Sequence, residues 1–178
     1  MKLRRLLVYC DASVDNDCGV VGYAGIVLRQ GAIKPKLVRG VSCKPVDNVA
    51  HAELIAISNA IESAFMEIVT PEAFSVRVFS DSIIAISLLD YCRTTTTNIV
   101  PSNCTAEMYD AASKIVSRLK LFGDFSVEWA SRKRDDVTSD VLIDMCDRMA
   151  KNQMRNGRSK RQELIGKVNA HKKKRGAI

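Results

Sequence analysis

The chain opens on a short apolar run, Leu3–Cys10, broken off at Asp11, which predicts a buried strand. Asp15, Asn16, Asp17 and Gly19 then supply turn chemistry. Gly22–Arg29 reads as a second strand, and Gln30-Gly31 makes a tight connection of the kind hairpins use. Lys34–Cys43 returns as a third strand, with Pro35 marking an exposed edge near its start. Three strands joined by short turns predict an antiparallel meander. The period then changes. Ala50–Met66 carries apolar residues at helical spacing behind the turn-prone pair Asp47-Asn48, so a helix is expected there. After Pro71 come a strand over Ser75–Ser80, a short helix over Ser82–Tyr91, a loop over Arg93–Pro101 and a helix over Thr105–Phe122. Phe125–Ala130 gives a fifth strand, Ser131–Thr138 a polar loop, and Ser139–Asn152 a last helix. This order predicts an α/β protein, a mixed sheet with helices packed on it.

Composition narrows the class. At 178 residues there is room for one sizeable core. Hydrophobic residues at 47% and charged residues at 26% match an ordinary globular protein. No stretch approaches the ~18 apolar residues that span a bilayer. The basic start and short apolar run of the first residues lack a small-residue cleavage site, so a cytoplasmic protein without signal peptide or membrane partner is expected. Cys10, Cys18, Cys43, Cys92, Cys104 and Cys146 form no C-x-x-C pair, and neither His51 nor His171 sits at metal-ligand spacing from them. They read as free thiols, most of them packing as small apolar groups.

The net charge of +7 is distributed unevenly. Ten of the 27 basic residues but only one of the 20 acids, Glu163, lie from Lys151 onward, leaving 17 basic and 19 acidic residues before it. Residues 1–154 are therefore expected as a near-neutral folded domain and residues 155–178 as a flexible basic tail. Arg158, Lys160, Arg161, Lys172, Lys173, Lys174 and Arg175 are the tail's candidate contacts to a polyanion. The plainer reading is a solvated terminus that only aids solubility.

Acids at strand ends or on apolar helix faces cost free energy unless they are paired or bound to metal. Asp11 and Asp81 each follow a predicted strand, where α/β sheets tend to place ligand sites. Both also suit a turn or a helix N-cap. Glu53 has Ala56, Ile57, Ala60 and Ile61 as helical neighbours, so it lies on an apolar stripe where no capping role exists; a buried ion pair is its alternative. On the last helix, Asp144 neighbours Asp140, Arg148 and Lys151, whereas Asp147 neighbours Ile143, Ala150 and Met154, which favours Asp147. Four such acids suit a hard cation, Mg²⁺ or Mn²⁺. Two ions held by several carboxylates can activate a water and stabilise the leaving oxygen of a phosphodiester.

Over residues 3–152 these motifs resemble type 1 ribonucleases H. Tyr9-Cys10-Asp11-Ala12-Ser13 is similar to that family's opening aspartate motif, and Gly19 with Gly22-Tyr23-Ala24-Gly25 to the glycine-rich turn and second strand after it. Asn48 through Ala56 resembles the helix carrying the catalytic glutamate, Phe79-Ser80-Asp81-Ser82 the third motif, and Cys146-Asp147-Arg148-Met149-Ala150 the last. The Val127-Glu128-Trp129 strand and the Arg132 loop are similar too. The resemblance implies a ribonuclease H-like fold with a five-stranded mixed sheet, dependence on Mg²⁺ or Mn²⁺, and endonucleolytic hydrolysis of the RNA strand of RNA–DNA hybrids. It gives Asp11, Glu53 and Asp81 as direct ligands of two ions and Asp147 as completing the site. Ser13, Asn48, Ser82, Arg132 and Lys133 are the candidate substrate contacts.

Two features depart from the family. The loop Ser131–Val137 holds no histidine, and Arg132, which stays protonated, can take only the electrostatic part of that residue's role. The basic handle is missing as well, since Tyr91–Cys104 carries only Arg93. His51 reads as a surface residue of the helix start, and Trp129, alone in the chain, as a core residue. Two alternatives to the hybrid-cleaving enzyme remain. One is a nuclease of the same fold with another nucleic-acid substrate; the other is a non-catalytic nucleic-acid-binding module.

Overall fold

Near-continuous burial along the first two strands, rather than clean alternation, is what a sheet covered on both faces requires. The structure is a computed structural model. It describes residues 2–44, 46, 48–95, 99–130 and 137–175, without the side chains of 137–139 and 168–175. Strands β1 (Arg4–Asp15), β2 (Val20–Arg29) and β3 (Lys36–Ser42) form the antiparallel meander, while β4 (Phe74–Ser80) and β5 (Asp124–Trp129) add in parallel beyond β1. The sheet order is β3-β2-β1-β4-β5. Helices α1 (Val49–Phe65), α2 (Ile83–Thr94), α3 (Ala106–Leu119) and α4 (Val137–Arg175) flank it. A 3₁₀ turn, Pro71–Ala73, is not among the elements predicted from the sequence; proline at its first position presets the backbone for it.

The two faces bury different sets. Val8, Cys10, Val76 and Val78 pack with Leu54, Ile57, Ile61, Leu89, Ile115 and Leu119 on the side of α1, α2 and α3. Tyr9, Ile26 and Phe79 pack under Ile143, Cys146 and Ala150 of α4 on the other. Tyr9 and Phe79 are the last pair of the parallel β1–β4 ladder, and their rings stack with centroids 4.7 Å apart.

Two predicted boundaries are corrected. The first strand does not end at Asp11. Its pairing with β2 continues to Asp15 opposite Val20, whereas its pairing with β4 stops at Tyr9 opposite Phe79. The sheet therefore parts beside Asp11, at the carboxyl ends of the parallel strands, and this crevice is where ligands bind in open α/β sheets.

The last helix does not stop at Asn152 either: α4 runs on to Arg175, across the expected domain boundary. A glycine in mid-helix normally weakens it. Here Gly157 is buried, and a Cβ on it would lie 2.6 Å from Val41 Cγ1 and 2.7 Å from Val20 Cγ1, so its bare backbone lets the helix rest on β2 and β3. Gly22 of β2 does the same from below, since a Cβ there would collide with the backbone of Ala150 and Met154. Next to Gly157, Arg158 Nη1 meets Asp15 Oδ2 at 3.2 Å. The first part of the expected tail is thus docked; from Arg158 to Lys167 the side chains are exposed.

Candidate metal centre

Asn48 sets where α1 begins: its Oδ1 accepts the His51 N–H at 3.0 Å, a standard N-cap. One turn and a half later the helix delivers Glu53 inward, 2% exposed. Glu53 Oε1 accepts the Ala12 N–H at 3.0 Å, and its Oε2 accepts the Ser80 hydroxyl at 3.2 Å. Ala12 follows Asp11 on β1, and Ser80 precedes Asp81 at the end of β4. One buried carboxylate therefore ties together the two strand segments that carry the other acids. Asp11 is 4% exposed and Asp81 is half-buried. One carboxylate oxygen from each of Asp11, Glu53 and Asp81 lies within 4.8 Å of the others. Neither aspartate is a helix cap: Asp11 lies within β1, and α2 is capped by Ser82, whose Oγ accepts the Ala85 N–H at 3.3 Å.

Electrostatics follow from the crowding. Burial, then the charges of Asp11 and Asp81, pushes the Glu53 carboxyl well above its ordinary range, against the pull of its bonds to Ala12 and Ser80. Three acids converging at a largely buried point form an oxygen-only donor set, the kind Mg²⁺ and Mn²⁺ take. The neighbouring thiols do not suit a soft metal. Burial, then Asp11, pushes Cys146 up to about 12, while burial, then Cys146, Glu53 and Asp11, raises Cys10 well above its ordinary value, so both stay protonated.

Asp147 lies outside this group. Its Oδ2 is bonded to Lys151 Nζ at 2.7 Å, with the side chain 20% exposed. The buried stripe of α4 is Ile143, Cys146 and Ala150, so the helix turns Cys146 inward, its thiol donating to the Tyr9 carbonyl at 3.4 Å. Asp147 sits at the margin of that stripe, one residue from its centre. Its apolar neighbours were real, but they were neighbours of Cys146 as well.

The candidate substrate contacts scatter around the acids. Ser13 is half-buried on β1 opposite Gly22. Asn48, besides capping α1, donates its amide to Met108 Sδ at 3.4 Å. Ser82 caps α2. Arg132 and Lys133 lie outside the described residues, as do the side chains of Lys172, Lys173, Lys174 and Arg175. Arg158 is ion-paired, and Lys160 and Arg161 are exposed.

Two residues of the site were missed. Ser80 is fully buried between Glu53 and the Ser82 N–H; its signal was its place as the last inward residue of β4, just before Asp81. Trp129 was expected in the core but is 45% exposed at the end of β5, with its Nε1–H donating to the Asp81 carbonyl at 3.1 Å. It is the final residue of β5, which lies at the edge of the sheet.

Strand order, the mixed pairing and the acidic opening at the carboxyl ends of the parallel strands define an α/β protein of the ribonuclease H-like fold. No protein-family model and no curated protein matches the sequence. Solved structures do match the fold. The chain is similar to the N-terminal RNase H domain of a Mycobacterium tuberculosis protein, solved as a maltose-binding-protein fusion, at 13% identity and a TM-score of 0.66, covering 88% of this chain and 98% of that one. It is also similar to LC11-RNase H1 isolated from compost, at 13% identity and a TM-score of 0.65 over 88% and 99% of the two chains. With RNase H1 of Halobacterium salinarum the figures are 15%, 0.56, 83% and 98%.

Proposed function

We propose that the protein is a metal-dependent endonuclease that hydrolyses the RNA strand of RNA–DNA hybrids. The observation that carries this reading is the convergence of Asp11, Glu53 and Asp81, from three separate elements, at the opening of a ribonuclease H-like sheet. In it, Asp11, Glu53 and Asp81 hold two Mg²⁺ or Mn²⁺ ions, and Asp147 adjusts the site from its edge. Such ions supply Lewis acidity and lower the pKa of a bound water. The chain's own part is positional. Ala12 and Ser80 fix both oxygens of Glu53, so its carboxylate is oriented before any ligand arrives. Ser13, Asn48, Ser82, Arg132 and Lys133 are the proposed substrate contacts, and the cations from Arg158 onward add affinity for phosphate.

The test is side-by-side incubation of labelled RNA–DNA hybrid, duplex RNA and duplex DNA with the protein in Mg²⁺, Mn²⁺ and EDTA. Hybrid cleavage confined to the RNA strand, abolished by EDTA and lost in Asp11→Asn and Asp81→Asn with folding intact, is the expected result. Preferential cutting of another duplex moves the protein to a different substrate on the same scaffold. A second reading, a non-catalytic nucleic-acid-binding module, is favoured by the tie of Asp147 to Lys151. For that reading calorimetry detects no Mg²⁺ or Mn²⁺ binding and no substrate is cut.

A further inference from the structure

Tryptophan is the largest apolar side chain, and its burial normally contributes strongly to a core. The chain has one, and it stands 45% exposed, paired across the β4–β5 ladder with Ser80, the residue before Asp81. Its chain neighbour Ala130 is buried, and Ile83 and Ile84 beyond Asp81 are exposed with it. The ring is nonetheless held. Trp129 pairs across the ladder with Ser80, which bonds Glu53, and its indole N–H donates to the carbonyl of Asp81 at 3.1 Å. The polar edge of the indole is satisfied by the chain, while much of the rest of the side chain faces solvent beside the centre.

We propose that Trp129 is a nucleic-acid contact, its indole face packing against the sugar of a nucleotide adjacent to the one whose phosphate lies at Asp11, Glu53 and Asp81. This rests on the reading of the site given under Proposed function and adds a residue to it. A sugar is the fitting partner because the bases of a duplex are stacked on one another, leaving sugars and groove edges accessible. A ring whose orientation is already fixed loses little freedom on contact.

Because Trp129 is the sole tryptophan, its emission reports this contact directly. Two titrations with RNA–DNA hybrid in Ca²⁺ test it, one following anisotropy of a labelled hybrid and the other following tryptophan emission with unlabelled hybrid, after a baseline in Ca²⁺ alone. Saturating hybrid is expected to quench or shift the emission beyond that baseline. Trp129→Ala is expected to weaken hybrid binding about tenfold, as loss of an aromatic platform does, while Trp129→Phe, which keeps a flat ring but not the bond to Asp81, binds within about threefold of the parent. Unchanged emission while anisotropy reports full binding overturns the inference and leaves the nuclease reading standing. Equal losses in both variants with a lowered Tm overturn it too, since that pattern belongs to the Asp81 hydrogen bond. If the parent neither binds nor cuts the hybrid, the underlying reading fails and this one with it.

Discussion

Glu53 is charged at a cost, and that cost should be visible in solution. Its folded-state pKa is raised, first by burial and then by Asp11 and Asp81. The folded protein thus holds a proton that the unfolded chain releases near the ordinary glutamate value of about 4.3. Linkage then fixes the sign: the contribution is favourable below that pH and is lost as pH rises through the raised value. In EDTA, the urea midpoint is expected to fall across this window, and Glu53→Gln to flatten the fall. Added Mg²⁺ is expected to restore stability most at the upper end, where the carboxylate is ionised; a pH-independent midpoint in the parent contradicts this. Asp147 should behave differently from the three clustered acids. With its carboxylate on Lys151 and outside the cluster, Asp147→Asn is expected to slow cleavage by about 10–100-fold, the range of a supporting residue, rather than abolish it. Single-turnover rates over a Mg²⁺ series measure this.

At the scale of elements, α4 was the least legible. Its start, its buried stripe and its acids could be read from spacing, but its length could not. Helical periodicity fades after Asn152, because the residues that follow are polar and glycine intervenes. What extends the helix is contact with the sheet, through two glycines from different segments and the Arg158–Asp15 pair. Gly22→Ala is expected to destabilise the fold by about 3 kcal/mol, since the new methyl meets helix backbone that cannot rotate away. Chemical denaturation measures that loss. Hydrogen exchange should localise the damage to α4 and β2 and leave α1 and α3 protected.

For the whole molecule, the question is what the surplus positive charge does. The docked segment up to Arg158 is structural in part, so a test of the tail must spare it. A chain ending at Glu163 keeps Gly157 and Arg158 and removes Lys167, Lys172, Lys173, Lys174 and Arg175. Its hybrid binding is expected to be weaker, with the slope of log K against log salt reduced by up to about 4.5 units if each of the five lost cations meets a phosphate. An unchanged slope returns the tail to the role of a solvated terminus. Cleavage of a saturating hybrid by the shortened chain should stay near the parental rate, because the acids lie elsewhere.

By itself the sequence determined the element order, the antiparallel meander within a mixed sheet, and Asp11, Glu53 and Asp81 as acids in unusual places. It could do so because period, turn residues and the conflict between a carboxylate and an apolar face are local properties. Only the tertiary structure decided that β1 runs past Asp11, that Cys146 rather than Asp147 faces inward, that Trp129 stands in solvent, and that α4 continues across the sheet. Each of these depends on which neighbour arrives from a distant part of the chain, and spacing along one segment carries no record of that.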